Sequence, residues 1–439
     1  MSTAANRWLL GGTVVLLPLL EPRGPGQSAP VDAVAVVYVV VALIAIARSR
    51  QPLHLPAKGA LLLILGASLL ATVFGLDLPA GMLSILVEAY LFLLFLCVAN
   101  HLGGDPAGLR AVLVTWSIAA TAWAGMLIAF QLQVVPAPLE ALLAGDGGGG
   151  PRAAGAAGNP NLAASYLLTS FFLLFASPWS RRRPARVAAA GALLFALYVT
   201  GSNGGLLGLM AGVPVLAVAA ALRRTRTPAQ RLGVVGGAVL TCGVVLAAAL
   251  VAGTPRADIL DVQALAQQER GGVFEGSIGR LDRSVGGRLA IWSSAWHAAD
   301  SRVTIGVGPG SAPEIPLGVG TLKRGLHNDY LAFLIERGIA GLLGLLGLVA
   351  LVAVLLRWSG RLLEAVLPDP RGGWLRPAGL SAAVVANLVV ATNHESFHFR
   401  HVWILFGLVW AASRLVSGQP ATLPAGPEFA AKELGHVGQ

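Results

Sequence analysis

The chain has 439 residues, of which 55% are hydrophobic and only 12% charged, and its 31 Lys and Arg outnumber its 21 Asp and Glu to give a formal charge of +10. With a mean hydropathy of +0.72, this composition excludes an ordinary soluble globular domain and predicts an all-α polytopic membrane protein. The positive charge does not point to nucleic acid, because the arginines fall in short segments between apolar runs rather than on one continuous face.

In chain order, charge-poor runs occupy residues 8–20, 31–47, 59–76, 78–99, 111–130, 161–177, 187–222, 232–253, 338–356, 377–393 and 402–413. Several approach the roughly 20 residues that cross hydrocarbon as a helix, and flanking residues can complete the shorter ones. The run 187–222 is too long for one crossing and is interrupted by Thr200-Gly201-Ser202-Asn203-Gly204-Gly205, so it reads as two helices and brings the expected total to about twelve transmembrane helices. The chain then divides into nine spans over 1–252, a large polar loop with short helices over 253–326, three spans over 327–417, and a loose Gly-, Pro- and Ala-rich tail over 418–439.

Basic residues assign the sides. Arg48, Arg50 and Lys58 follow the second span, Arg110 the fourth, Arg181, Arg182, Arg183 and Arg186 the sixth, Arg223, Arg224, Arg226 and Arg231 the eighth, and Arg357, Arg361, Arg371 and Arg376 the tenth. All therefore share one face, which the positive-inside rule makes cytoplasmic, leaving 253–326 outside and both termini inside. The first span is expected to be retained; the alternative is a cleaved signal peptide ending near Ser28-Ala29. Cys97 and Cys242 lie in apolar runs and read as core residues without a disulfide.

Four outward segments carry the unusual chemistry. The first ends in Arg152 and Asn159-Pro160-Asn161, where Asn159 can cap the next helix and Pro160 suits its first turn. The second is the polar loop, whose basic and acidic residues nearly balance, as in a folded cap. Within it, Leu289, Trp292, Trp296 and Ala299 recur at three- and four-residue intervals and predict a short amphipathic helix over 284–300 with Arg288 close to the Trp292 side. Gly306-Val307-Gly308-Pro309-Gly310 then permits a tight turn or a close backbone approach to a ligand. The third is His327-Asn328-Asp329-Tyr330-Leu331, entering a helix whose Glu336 and Arg337 must pair with each other or with another helix, or mark a break before Gly338. The fourth, Asn393 to His401, spells H-E-x-x-H at His394-Glu395-Ser396-Phe397-His398, a zinc protease signature only if the segment is helical and a third ligand is near.

Taken in order, Arg152 with Asn159-Pro160-Asn161, the Thr200-Gly201-Ser202 turn, Gly287-Arg288 with Trp292, Gly306 to Gly310, and His327-Asn328 with Glu336 and Gly338 resemble the O-antigen ligase and polymerase superfamily of bacterial envelope glycosyltransferases. The resemblance implies a multi-pass enzyme of the bacterial cytoplasmic membrane, active on its periplasmic or external face. Such an enzyme transfers a glycan from undecaprenyl diphosphate to a hydroxyl. In ligases the acceptor is the lipid A core; in polymerases it is another lipid-linked repeat unit. It also implies that His327 is the essential histidine and that Arg288 and Arg152 hold the diphosphate. Family members often carry arginine where this chain has Asn203, which removes one positive charge from that turn.

The chemistry follows from the leaving group. A departing diphosphate needs fixed positive charge, and arginine supplies it with several donors. Arg152 and Arg288 are the first candidates, with Arg283, Arg324 and Arg400 as helpers and Asn161 and His398 as further polar contacts. His327 would deprotonate the acceptor hydroxyl for a single inverting displacement. No Asp-x-Asp pair occurs in the outward loops, so the expectation is that no metal or other cofactor takes part. A membrane protease using His394, Glu395 and His398, and a transporter with a dozen spans, are the competing readings.

Overall fold

The computed structural model describes residues 3–21, 28–49, 53–132, 134–135, 154–179, 183–224, short stretches between 227 and 237, residues 288, 291–297, 299 and 302–311, and residues 326–366 and 376–417. Arg152, Arg283, Arg324, Cys242, most of the ninth expected span, much of the 253–326 loop and the 418–439 tail lie outside them.

Among the described residues every regular element is helical. The long helices are α1 (Thr3–Leu16), α2 (Pro30–Arg48), α3 (Lys58–Val73), α4 (Leu78–Leu102), α5 (Pro106–Gln131), α6 (Pro160–Ala176), α7 (Arg183–Val199), α8 (Asn203–Arg224), α9 (Asp329–Val366), α10 (Arg376–Val390) and α11 (Arg400–Ser417). The run 187–222 is indeed two helices, separated at Thr200-Gly201-Ser202. Among the described residues, five helices are long and apolar enough to cross a membrane: Pro30–Arg48, Leu78–Leu102, Pro106–Gln131, Asn203–Leu222 and Asp329–Leu356. This is fewer than the twelve expected. Lys58–Val73, Pro160–Ala176, Pro184–Val199 and Ala378–Val390 are apolar but shorter, and at 1.5 Å per residue a 17-residue helix spans less than the roughly 30 Å of hydrocarbon.

Local sequence sets where the helices start. Asp77 accepts from the Ala80 amide (2.9 Å), Asp105 from Gly108 (2.9 Å) and Asn159 from Asn161 (2.8 Å), each followed by a proline in the first turn. Such carboxylates and amides satisfy donors that lipid could not. Helix α9 lies along α3 and α11, α10 sits between α6 and α8, and α11 lies on α4. Helix α6 is buried on almost every side, whereas Leu62 and Leu86 on α3 and α4 are about two-thirds exposed (67% and 64%), as lipid-facing residues are.

A charged cluster ties these helices together. Arg337 of α9 is buried, bonded to Glu88 of α4 and, at 2.8 Å, to Glu336, with its guanidinium 4.4 Å from the centre of the Phe333 ring. Ser68 of α3 donates to the other Glu88 oxygen at 2.8 Å. The expected pairing and the expected break both occur: Gly338 interrupts α9 with φ 67° and ψ −170°. The break turns the carbonyls of Ile335 and Glu336 to the amides of Val307 and Gly308 (2.9 and 3.0 Å), while Leu76 donates to the Val307 carbonyl (2.8 Å). Gly306 and Gly308 thus make a close approach to the protein's own backbone. A Cβ on Gly306 would lie 2.6 Å from the Glu336 carbonyl carbon, and one on Gly338 would lie 2.7 Å from that of Ile305.

Replacing Arg337 by Met leaves two carboxylates buried beside each other, at an expected cost of about 3–5 kcal/mol. Detergent-solubilised Arg337→Met should lose its monodisperse peak at a lower temperature than wild type, and Glu88→Gln in the same chain should restore part of the difference. Gly338→Ala should fail the same assay. Gly347→Ala, where a Cβ meets only the Ala60 methyl at 3.8 Å, should pass it.

Candidate active site

Most of the candidate residues gather at the end of the bundle where α2, α4, α6, α8, α9 and α11 begin. Residues 291–297 form a short helix, and of the expected stripe Ala299 is buried while Trp296 is not. Ala295 and Ala299 are buried with Ile291 beside them, against Val307, Leu326, Ala332 and Ile335, while Trp296 is 43% exposed. Small side chains allow this helix to lie close to α9, where an indole would not fit. Trp292 instead uses its ring nitrogen, donating to the Leu326 carbonyl at 2.8 Å, and so pins the residue before His327.

His327 has φ 52°, in the left-handed region that non-glycine residues seldom occupy. Its main-chain amide donates to Glu395 Oε1 at 3.0 Å, and the Leu326 amide bonds the same carboxylate. Its ring stacks on His394, with centroids 5.8 Å apart and planes at 28°. Arg288 donates from Nη1 to Asn393 Oδ1 at 2.7 Å. The base candidate and the cation candidate therefore meet on consecutive residues of the α10–α11 connection.

The remaining candidates distribute around this centre. Asn161 Oδ1 accepts from Ser202 Oγ at 2.9 Å, joining the start of α6 to the Thr200-Gly201-Ser202 turn. That turn reaches the centre: a Cβ on Gly204 would lie 3.4 Å from Asn393 Cβ. Asn203 is buried at the start of α8. Arg400 pairs with both oxygens of Asp32 at the start of α2, and Tyr90 donates to the same carboxylate at 2.9 Å. Burial, reinforced by the charges of Arg337 and Arg400, pushes His398 down to about 4, so its imidazole carries no charge near neutral pH.

The H-E-x-x-H letters do not form a metalloprotease helix. Residues 391–399 are turn and irregular structure, and Glu395 faces the amides of Leu326 and His327. Burial raises the Glu395 carboxyl above the usual carboxylate range, against those amide bonds and the charge of Arg337. Among the described residues no group of three or more His, Cys, Asp or Glu is arranged to hold a metal ion.

Sequence reasoning missed Asn393 and Glu395 as partners of Arg288 and His327, Asp32 as the partner of Arg400, and Asp329 as the anchor of the connection. Asp329 Oδ2 accepts from the amides of Ser396 (2.6 Å) and Phe397 (3.1 Å) and from the Ser396 hydroxyl (3.0 Å). The signal available was the density of polar residues between the last two apolar runs. That density identified the segment without identifying its partners.

Residues 187–346, from α7 through the first part of α9, match the family model described as O-Antigen ligase. No curated protein sequence matches the chain. The matched region contains the Thr200-Gly201-Ser202 turn, Arg288, the 306–310 glycines, His327 and the Gly338 break, and over these features the chain is similar to the O-antigen ligase family.

Proposed function

We propose that the protein is an O-antigen ligase-type glycosyltransferase that moves a glycan from undecaprenyl diphosphate to an acceptor sugar hydroxyl, with inversion and without a metal. The observation that carries this reading is the meeting of Arg288 and His327 on residues 393–395 at one end of an apolar helical bundle. That end faces the periplasm or cell exterior in a protein of about twelve spans. Arg48 at the end of α2, Arg183 and Arg186 at the start of α7, and Arg224 at the end of α8 lie toward the opposite end.

The residue types supply what the reaction requires. Arg288 neutralises the diphosphate as its bond to the anomeric carbon breaks, with Arg152, Arg283 and Arg324 adding charge from the flanking loops. The starts of α6, α8, α9 and α11 add the positive ends of four helix dipoles. The acceptor oxygen attacks the anomeric carbon from the face opposite the diphosphate. The bonding pair leaves with the diphosphate oxygen, and the hydroxyl proton passes to the His327 imidazole. Asn161 and His398 offer neutral hydrogen-bonding groups to the glycan, and Arg400 keeps the start of α11 in place through Asp32. The acceptor is the lipid A core; a lipid-linked repeat unit would make the enzyme a polymerase.

Purified protein incubated with a polyprenyl-diphosphate glycan and each acceptor in turn identifies which product forms. His327→Ala should lower transfer on the order of 10²- to 10⁴-fold, and a full rate in that variant sinks the mechanism. Arg288→Ala should cost on the order of 10²- to 10³-fold. Arg288→Lys should recover only part of that loss, because an ammonium lacks the planar fork of donors. Activity should survive EDTA; its abolition would mean that a metal takes part.

A further inference from the structure

The segment Asn393-His394-Glu395, which first suggested zinc, has no part in the transfer as described above. Each of its side chains nevertheless engages one of the two central candidates. Asn393 accepts from Arg288, 105 positions away in sequence; His394 stacks on the His327 ring; and Glu395 accepts from the His327 amide, 68 positions away. We propose that this tripeptide is a positioning clasp that fixes the separation between the diphosphate-binding arginine and the base, an inference that rests on the transfer reaction proposed above.

Two further observations support the assignment. The first is that the clasp is rigid on its own side: Asp329 holds Ser396 and Phe397, its amide donates to the Ala391 carbonyl at 2.8 Å, and Trp403 Nε1 donates to the Phe397 carbonyl at 2.6 Å. The second is the left-handed backbone of His327, a conformation that persists only when surroundings impose it. Glu395 and Trp292 impose it together, from either side of the Leu326–His327 peptide. Among the described residues, the charged groups that interact with Glu395 include Asp329, Glu336 and Arg337, and His394 adjoins it in the chain. The Glu395 carboxylate turns to the main-chain amides of Leu326 and His327, which suits a positioning residue.

The clasp matters because Arg288 and His327 lie on separate stretches of chain, one ahead of the short helix and one at the mouth of α9. A displacement of about 1 Å between such groups can cost on the order of 10²-fold in rate. The test uses full-length protein in detergent, a polyprenyl-diphosphate glycan as donor, and separate determination of kcat and of KM for the donor. Glu395→Ala should lower kcat about 10- to 100-fold with little change in donor KM, whereas Glu395→Gln, which keeps an acceptor oxygen, should recover most of it. Asn393→Leu should raise donor KM, and Asn393→Asp should stay near wild type because it still receives Arg288. On an Arg288→Ala background, Asn393→Leu should add nothing. Near-normal kinetics in folded Glu395→Ala and Asn393→Leu, with His327→Ala and Arg288→Ala inactive, would overturn the clasp and leave the transfer mechanism standing. So would equal losses in the conservative and non-conservative variants. Full activity in His327→Ala and Arg288→Ala would instead remove the mechanism itself.

Discussion

A buried guanidinium has to be answered by carboxylates, and in this protein that requirement organises one whole end of the bundle. Arg337 draws Glu88 from α4 and Glu336 from its own helix, and Ser68 of α3 completes the set. Because removing one partner from such a cluster costs several kcal/mol, α3, α4 and α9 are held in one register. The adjacent break at Gly338 frees the carbonyls of Ile335 and Glu336, and these dock residues 306–310. Residues 302–311, which follow the short helix, are therefore seated on the bundle by main-chain hydrogen bonds and by the buried Val307.

From that seat the rest of the candidate site follows. Ala295 of the short helix and Ala299 pack against α9, and Arg288 lies beside the connection between α10 and α11. His327 approaches the same connection at the start of α9 and is held there by Glu395. Asp329, two residues later, secures the connection in return through Ser396 and Phe397. Residues 327 to 329 and 393 to 397 thus grip each other reciprocally. The chemistry proposed for the site depends on a contact between two chain segments that each lie at a helix mouth.

Much of the architecture was legible in the sequence. The apolar runs located the helices, the Thr200-Gly201-Ser202 interruption divided α7 from α8, and Asn159 with Pro160 marked the start of α6. The pairing of Glu336 and Arg337 and the break at Gly338 were readable because a charge in a hydrophobic run has few admissible solutions. The amphipathic stripe around Trp292 was less informative. Periodicity says that one side is buried but not what it packs against, and here the neighbouring helix accepted alanines where tryptophan was expected. The H-E-x-x-H letters misled for a related reason, since the motif carries zinc chemistry only on a helix and this segment is a turn.

The sequence by itself determined the apolar surroundings, where several helices begin, and the polar residue types gathered at the candidate site, since these depend on local hydrophobicity, capping and charge. Only the tertiary structure decided that Glu88 answers Arg337, that Asp32 takes Arg400, and that Asn393 and Glu395 receive Arg288 and His327. Each of those partners lies tens or hundreds of positions away. A polar side chain in a bundle satisfies itself with whatever the packing of helices brings within about 3 Å, and that packing is written in no single stretch of the chain.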